Sequence, residues 1–355
     1  MRPSFYSHLH PPTIPYAQAR WRYTLGAGGI AVFLLLVLII SGLLLTFYYV
    51  PYPQEAAHSI QRITFLIPYG SLIRNLHFWA AQGLVIISLI HLSRVLLTGA
   101  YIPPRRFNFL LGFIVFLLIL WENFSGYILR WDEGIHWALV IGTNLIQVIP
   151  IIGVPLYTII MGGSQINPNT LTRFYAFHSI GIFLPLIWFT GWHIFRVRRD
   201  GGIAFAKEPP TEYVSNRYQS SNLRIRRNVL VQREVIAALI CLGLLLIWSN
   251  LFSAPLGLPM GEIQLENVEA HAPWFLLWVQ TLLSFGNPLL WGVIIPLIVF
   301  LVPVLITYIL PLPKSSELGR WFPSSGRAAQ IIYLCWLSLL FGLTFYGFFR
   351  WGFHL

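Results

Sequence analysis

Seven stretches of this chain are apolar for roughly 20 residues each, the length of helix needed to cross the hydrocarbon of a bilayer. They fall near 25–50, 76–98, 109–129, 176–196, 232–252, 288–310 and 328–349. The polar positions gather between them. Trp131 to Thr170 is amphipathic and broken by proline and glycine (IPIIGVPLY, GGSQINPNT), so it predicts short helices lying on a surface and not a crossing. The stretch HAPWFLLWVQTLLSF, His271 to Phe285, is apolar but too short to span. The basic segment RRDGGIAFAKEPPTEYVSNRYQSSNLRIRR separates four spans from three. The pattern predicts an all-α integral membrane fold. Its parts are a four-span unit over 1–200, a polar linker over 201–230 and a three-span unit over 231–355.

Composition agrees, with 56% hydrophobic and only 10% charged residues. A formal charge of +11 raises the question of nucleic acid, and the distribution of that charge answers it. With the N-terminus on the cytoplasmic side, all but Arg62, Arg74, Arg130, Arg173 and Arg350 of the 23 Lys and Arg fall inside. The loop near 253–287 carries Glu262, Glu266 and Glu269 with no basic residue. This is the positive-inside pattern of a lipid-embedded chain with its C-terminus outside. The expected location is the cytoplasmic membrane of a bacterium or an equivalent energy-transducing membrane. No nucleic-acid partner is expected. Cys241 and Cys335 lie in apolar runs without ligand spacing and read as small core residues.

Histidines carry the candidate chemistry. NLHFWAAQGLVIISLIHLSR places His77 and His91 fourteen residues apart in the second span. LTRFYAFHSIGIFLPLIWFTGWHIFRVRR places His178 and His193 fifteen apart in the fourth. At about 1.5 Å per residue each pair is separated by roughly 21–22 Å and stays near one helix face. Spans two and four run in the same direction, so His77 can face His178 and His91 can face His193. Two imidazoles from opposite sides at each of two levels is the ligand set of a bis-histidine haem. Ionisable groups in lipid need such a reason. Gly28 and Gly42 in the first span, and Gly112 and Gly126 in the third, repeat the fourteen-residue interval, as residues without Cβ beside a porphyrin edge would. Arg74, Arg94, Arg173 and Arg198 each lie within five residues of a histidine, toward the nearer surface, where haem propionates need cationic partners.

Several motifs resemble the signatures of the cytochrome b family, the haem-carrying subunit of quinol-oxidising bc and bf complexes: SLIRNLHFW, HLSRVLLTGAY, GYILRWDEGIHWA and LTRFYAFH. The resemblance covers nearly the whole chain. It is strongest to the photosynthetic and Gram-positive type, with the four-span and three-span parts fused. It implies two non-covalent b-type haems, on His77 with His178 near the outer face and on His91 with His193 near the inner one. It also implies outer quinol oxidation and inner quinone reduction. Implied partners are a Rieske iron-sulfur protein, a c-type cytochrome or other acceptor, and a second copy of the complex. Gly26 stands near where the photosynthetic type attaches a third haem through cysteine, so two haems are expected.

Two positions depart from the family pattern. Its outer-site PEWY motif is replaced by Ala272-Pro273-Trp274-Phe275, without the glutamate that receives a proton. Glu122, one turn before Gly126, is the expected substitute, with His136 or His271 as possible companions beside Pro273 and Trp274. Arg130 occupies a place usually held by proline. The altered motif leaves open a second redox reading, a dihaem conduit linking quinone to another oxidoreductase. A haem-free transporter or scaffold is the reading from a different class.

Overall fold

The computed structural model describes residues 12–19, 24–204, 224–260, 272–318 and 320–352. In chain order its helices are α1 (Ala27–Thr46), α2 (Ala56–Phe65), α3 (Gly70–Leu97) and α4 (Arg106–Ile128). Next come α5 (Glu133–Gln147), α6 (Gly153–Met161) and α7, which runs from Pro168 to Arg199. The last are α8 (Arg227–Leu251), a short α9 (Leu277–Leu283), α10 (Pro288–Ile309) and α11 (Arg327–Trp351). Seven of them, α1, α3, α4, α7, α8, α10 and α11, are long and apolar enough to cross a membrane. The fold is that of an all-α integral membrane protein. Of the four shorter helices, α5, α6 and α9 occupy the segments that the sequence pattern marked as too interrupted or too short for a crossing.

Lipid offers backbone groups no partner, so a spanning segment closes its own hydrogen bonds as a helix. It can then leave apolar side chains on its outer face: Leu36, Ile40 and Leu43 of α1 and Leu239 and Leu244 of α8 are all more than half exposed. The core lies where α3 and α4 meet α1, α7 and the C-terminal helices, around Leu84, Phe113, Leu186 and Trp278. Helix α3 touches α1, α4, α8 and α11. Polar contacts fix the C-terminal helices to this centre: Ser93 and Tyr333 hydroxyls are 2.6 Å apart, and Trp336 Nε1 donates to the Val299 carbonyl at 2.7 Å.

Helix α7 is not uniform. Residues Phe177–Gly181 form a π-turn, in which Ile182 N donates to the Phe177 carbonyl at 2.7 Å. Such a turn absorbs one extra residue without rotating the remainder of the helix. It therefore lets the fifteen-residue interval from His178 to His193 match the fourteen-residue interval on α3.

At the His77 end, residues 252–260 form a strap drawn down onto the bundle. Trp79 Nε1 donates to the Phe252 carbonyl, and Asn75 Oδ1 accepts from Ala254 N at 2.9 Å. Arg74 donates to the carbonyls of Ala254 and Pro255. Asp132 Oδ2 accepts from Gly257 N at 3.1 Å, and Glu133 N donates to the Leu258 carbonyl. At the opposite end a two-stranded antiparallel pair, β1 (Thr13–Pro15) with β2 (Arg224–Arg226), joins the start of the described chain to the end of the linker. The apolar pattern gave no sign of either strand.

The connection between α10 and α11 is closed by Glu317. Its carboxylate accepts from the Ser325 hydroxyl and backbone N–H and from the Ser324 hydroxyl, which hold its pKa down at about 2, against 4.5 unperturbed. A depressed carboxylate contributes stability that is complete above the unfolded value and lost as pH falls through the folded one. Hydrogen-exchange protection of Ser324 and Ser325 is thus expected to decline between pH 4.5 and 2, and Glu317→Gln should abolish that dependence.

Candidate functional site

Helices α3 and α7 lie parallel and bring the four histidines together as two pairs. The ring centres of His77 and His178 are 6.2 Å apart, and those of His91 and His193 are 6.4 Å apart. Two imidazoles bound from opposite sides to one metal at about 2.0 Å, with about 1.2 Å from Nε2 to each ring centre, would place the centres about 6.4 Å apart. Among the described residues, no group of three or more His, Cys, Asp or Glu is arranged to hold a metal. Each pair is thus spaced to hold a single metal ion between its two rings.

Three of the four far nitrogens are anchored. Ser41 Oγ donates to the Val37 carbonyl at 2.7 Å, so it accepts from His77 Nδ1 at 3.0 Å. Ser125 Oγ donates to the Glu122 carbonyl, and both oxygens surround His178 Nδ1, at 3.1 and 3.2 Å. His193 Nδ1 faces the Asn108 carbonyl at 3.0 Å. An Nδ1 held as donor leaves Nε2 with its lone pair free, the tautomer a metal requires. Ser41 and Ser125 were passed over in the sequence, although a signal exists: each immediately precedes a glycine of the fourteen-residue repeat (Ser41-Gly42, Ser125-Gly126).

Those glycines sit against imidazoles. A Cβ at Gly126 would come 2.7 Å from His178 Cε1, at Gly112 2.8 Å from His193 Cε1, at Gly42 3.0 Å from His77 Cε1 and at Gly28 3.3 Å from His91 Cε1. The neighbour that demands glycine in this structure is the histidine ring itself, where the sequence pattern suggested a porphyrin edge. One glycine from α1 or α4 backs each of the four rings.

A cavity of about 390 Å³ opens beside the His77 pair. Gly42, Gly126, Arg74, Glu122, Arg130 and Trp274 are among its walls, and Pro273 and Phe275 border it as well. Glu122 Oε1 is 3.4 Å from His178 Nδ1, and its buried Oε2 has no hydrogen-bond partner among the described residues. Trp274 Nε1 donates to Gln82 Oε1 at 2.7 Å, which fixes the indole against α3. His136 does not join them: it stands on α5 with its ring edge to Trp137, outside the cavity wall, and burial pushes its pKa down. It follows by one turn Glu133, whose N–H donates to the Leu258 carbonyl of the strap. His271 lies outside the described residues.

The family model for cytochrome b/b6/petB matches residues 14–201. The chain belongs to the cytochrome b family. It is 34% identical over 174 residues to the cytochrome b6 of Heliobacterium mobile, a match covering 49% of this chain and 82% of that one. It is 37% identical over 176 residues to the cytochrome b6 of Cyanidium caldarium, covering 49% and 81%. A solved chain of a hyperthermophilic respiratory Complex III shares the fold, with a TM-score of 0.69, 20% identity and 93% of each chain covered. As a cytochrome b, the protein is a haem-binding, electron-transferring component of a membrane.

The arginines of this cytochrome b differ in their surroundings. Arg74 is buried with both terminal nitrogens on strap carbonyls. Arg94 is buried one turn from His91 and donates to the Ala204 carbonyl at 3.4 Å. Arg173 is exposed and donates to the Ile159 carbonyl, away from the cavity wall. Arg198 is within electrostatic reach of Arg227 and Glu234. Glu234, on α8, lies against Gly29 of α1, one residue from the Gly28 contact with His91. The sequence reading missed it, because only the packing of α8 on α1 brings it to the His91 level.

Proposed function

We propose that this cytochrome b is the dihaem subunit of a Rieske/cytochrome b complex. In this reading it carries electrons between an outer quinol-oxidation site at the His77 end and an inner quinone-reduction site at the His91 end. The observation that carries the reading is the spacing of the two imidazole pairs, each matched to one iron and stacked along α3 and α7. His77 and His178 would hold one b-type haem, and His91 and His193 the other. Bound there, the haems would supply reversible one-electron chemistry at two depths, so that transfer between them separates charge across the membrane. Residues 1–200 would form the dihaem unit, and residues 231–355 would complete the outer site through Pro273 and Trp274. The Rieske centre and a c-type or similar acceptor would be separate chains, and the complex a dimer.

The protein's own residues then have defined tasks. Pro273, Phe275 and Trp274, the last braced by Gln82, give the cavity an apolar wall for a quinol ring. Glu122 would take a quinol proton, replacing the motif glutamate whose place is held by Pro273. It lines the cavity, and its buried Oε2 has no hydrogen-bond partner among the described residues. At the other end Arg198 and Glu234 are the candidate contacts for quinone. The N-terminus would face the cytoplasm. The absent motif glutamate favours the runner-up, a quinone-linked conduit for a different oxidoreductase.

Reduced-minus-oxidised spectra of the purified complex, titrated with quinol and a Rieske-site inhibitor, test this reading. Two b-type components that reduce through the inhibitor-sensitive site are expected, and a colourless preparation overturns it. Glu122→Gln is expected to slow quinol oxidation about 10²- to 10⁴-fold, as loss of a general base does, and to remove the corresponding limb of its pH profile. An unchanged rate and profile would exclude Glu122.

A further inference from the structure

Two buried arginines at the His77 end share one carboxylate. Arg74 is 8% exposed and the Arg130 side chain 15%, and both guanidiniums act on one carboxylate, Asp132, whose side chain is 2% exposed. Glu122, on the same cavity wall, contacts His178 and, among the described residues, neither arginine. Neither guanidinium therefore has a carboxylate to itself among the described residues, and a poorly solvated cation gains from a further anionic partner.

The two arginines are not equivalent. Arg74 has placed both terminal nitrogens on Ala254 and Pro255. Arg130 points its Nε and Nη2 at the same atom, Asp132 Oδ2, at 2.9 and 2.6 Å, and lies 5.3 Å over the ring of Tyr127. Its Nη1 has no hydrogen-bond partner among the described residues, and the side chain borders the cavity shared with His77 and His178. Its place in the chain is one turn beyond Gly126, the residue packed on His178. The guanidinium is thus fixed on two sides and open on the third.

We infer that Arg130 binds a carboxylate of the haem held by His77 and His178, a propionate, and thereby sets that haem's potential; this rests on those two histidines being its ligands. A quinol arrives neutral and must give up a proton, which a guanidinium cannot accept. A carboxylate gives Arg130 an anion of its own and accepts the N–H groups that it leaves unused. A fixed cation beside a redox centre favours the form carrying the extra electron, so Arg130 raises the potential of the haem at this level.

Redox titration of the intact purified complex, with redox-difference infrared spectra of the carboxylate region, tests the assignment in wild type, Arg130→Met and Arg130→Lys. In Arg130→Met the His77-level haem should shift to more negative potential, with the His91-level haem unchanged and the propionate band displaced. Arg130→Lys should shift the potential less, because it keeps the charge, yet still displace the band, because it loses the planar fork. Both haems present with potential and band unmoved would overturn the inference. Should Arg130→Met fail to assemble, the band in Arg130→Lys decides, and an unmoved band there overturns it equally. A wild-type complex without haem at the His77 level would instead sink the ligand assignment beneath it.

Discussion

Replacing His178 by leucine is expected to halve the b-type haem per chain and to lower quinol oxidation by more than about 100-fold. Substituting a residue that merely supports a metal ligand already costs about 10- to 100-fold in metal affinity or activity, and removing the ligand itself should exceed that. The vacated side would present leucine to the iron, while Ser125 Oγ and the Glu122 carbonyl would lose the ring they now anchor. The second level should survive. His91 and His193 lie fourteen and fifteen residues further along their helices, roughly 21 Å away, with a separate anchor at Asn108 and separate glycines at Gly28 and Gly112. Pyridine haemochrome assay against protein concentration, with redox titration of the remaining component, measures both halves of the statement. Loss of both haems together, with the bundle still folded by circular dichroism, would show that the two levels do not bind independently. His77→Leu should behave like His178→Leu, because the two rings face one another at 6.2 Å.

Alanine at the four glycines should produce a graded series, and the gradient is the informative part. Gly126→Ala would place its Cβ 2.7 Å from His178 Cε1, and Gly112→Ala 2.8 Å from His193 Cε1. Neither contact is tolerable without moving a ring, and overpacking of this kind costs about 1–3 kcal/mol, equivalent to roughly 5- to 150-fold in retention of the properly bound state. Gly42→Ala, at 3.0 Å, should cost less, and Gly28→Ala, at 3.3 Å, should be the mildest. The measurement is the temperature at which each b-type component is lost, level by level. Gly126 and Gly42 variants should affect the His77-level component, and Gly112 and Gly28 variants the other. A uniform effect on both components would mean that these glycines serve helix packing in general.

The sequence by itself determined the number of crossings, the helical class, the separate character of 131–170 and 271–285, and the two matched histidine intervals. These are local properties: in lipid, a run long and apolar enough to span has no alternative to a helix, and helix geometry converts intervals into levels. The Ser-Gly doublets at 41–42 and 125–126 were equally local but went unread, because a hydroxyl beside a glycine has no meaning until an imidazole is placed next to it. Other features exist only in three dimensions. The π-turn at Phe177–Gly181, which reconciles fifteen residues with fourteen, arises because α7 has to match α3 at two levels at once. Arg74 looks from its position in the chain like a propionate partner, and the structure adds that it holds the strap. Arg130, to which the chain order assigns no task, faces the cavity from between Asp132 and Tyr127. Glu234 reaches the His91 level from a helix more than a hundred residues further along. Each of these roles was decided by a contact between distant segments, and a buried charge takes its role from its partners, which the one-dimensional pattern does not specify.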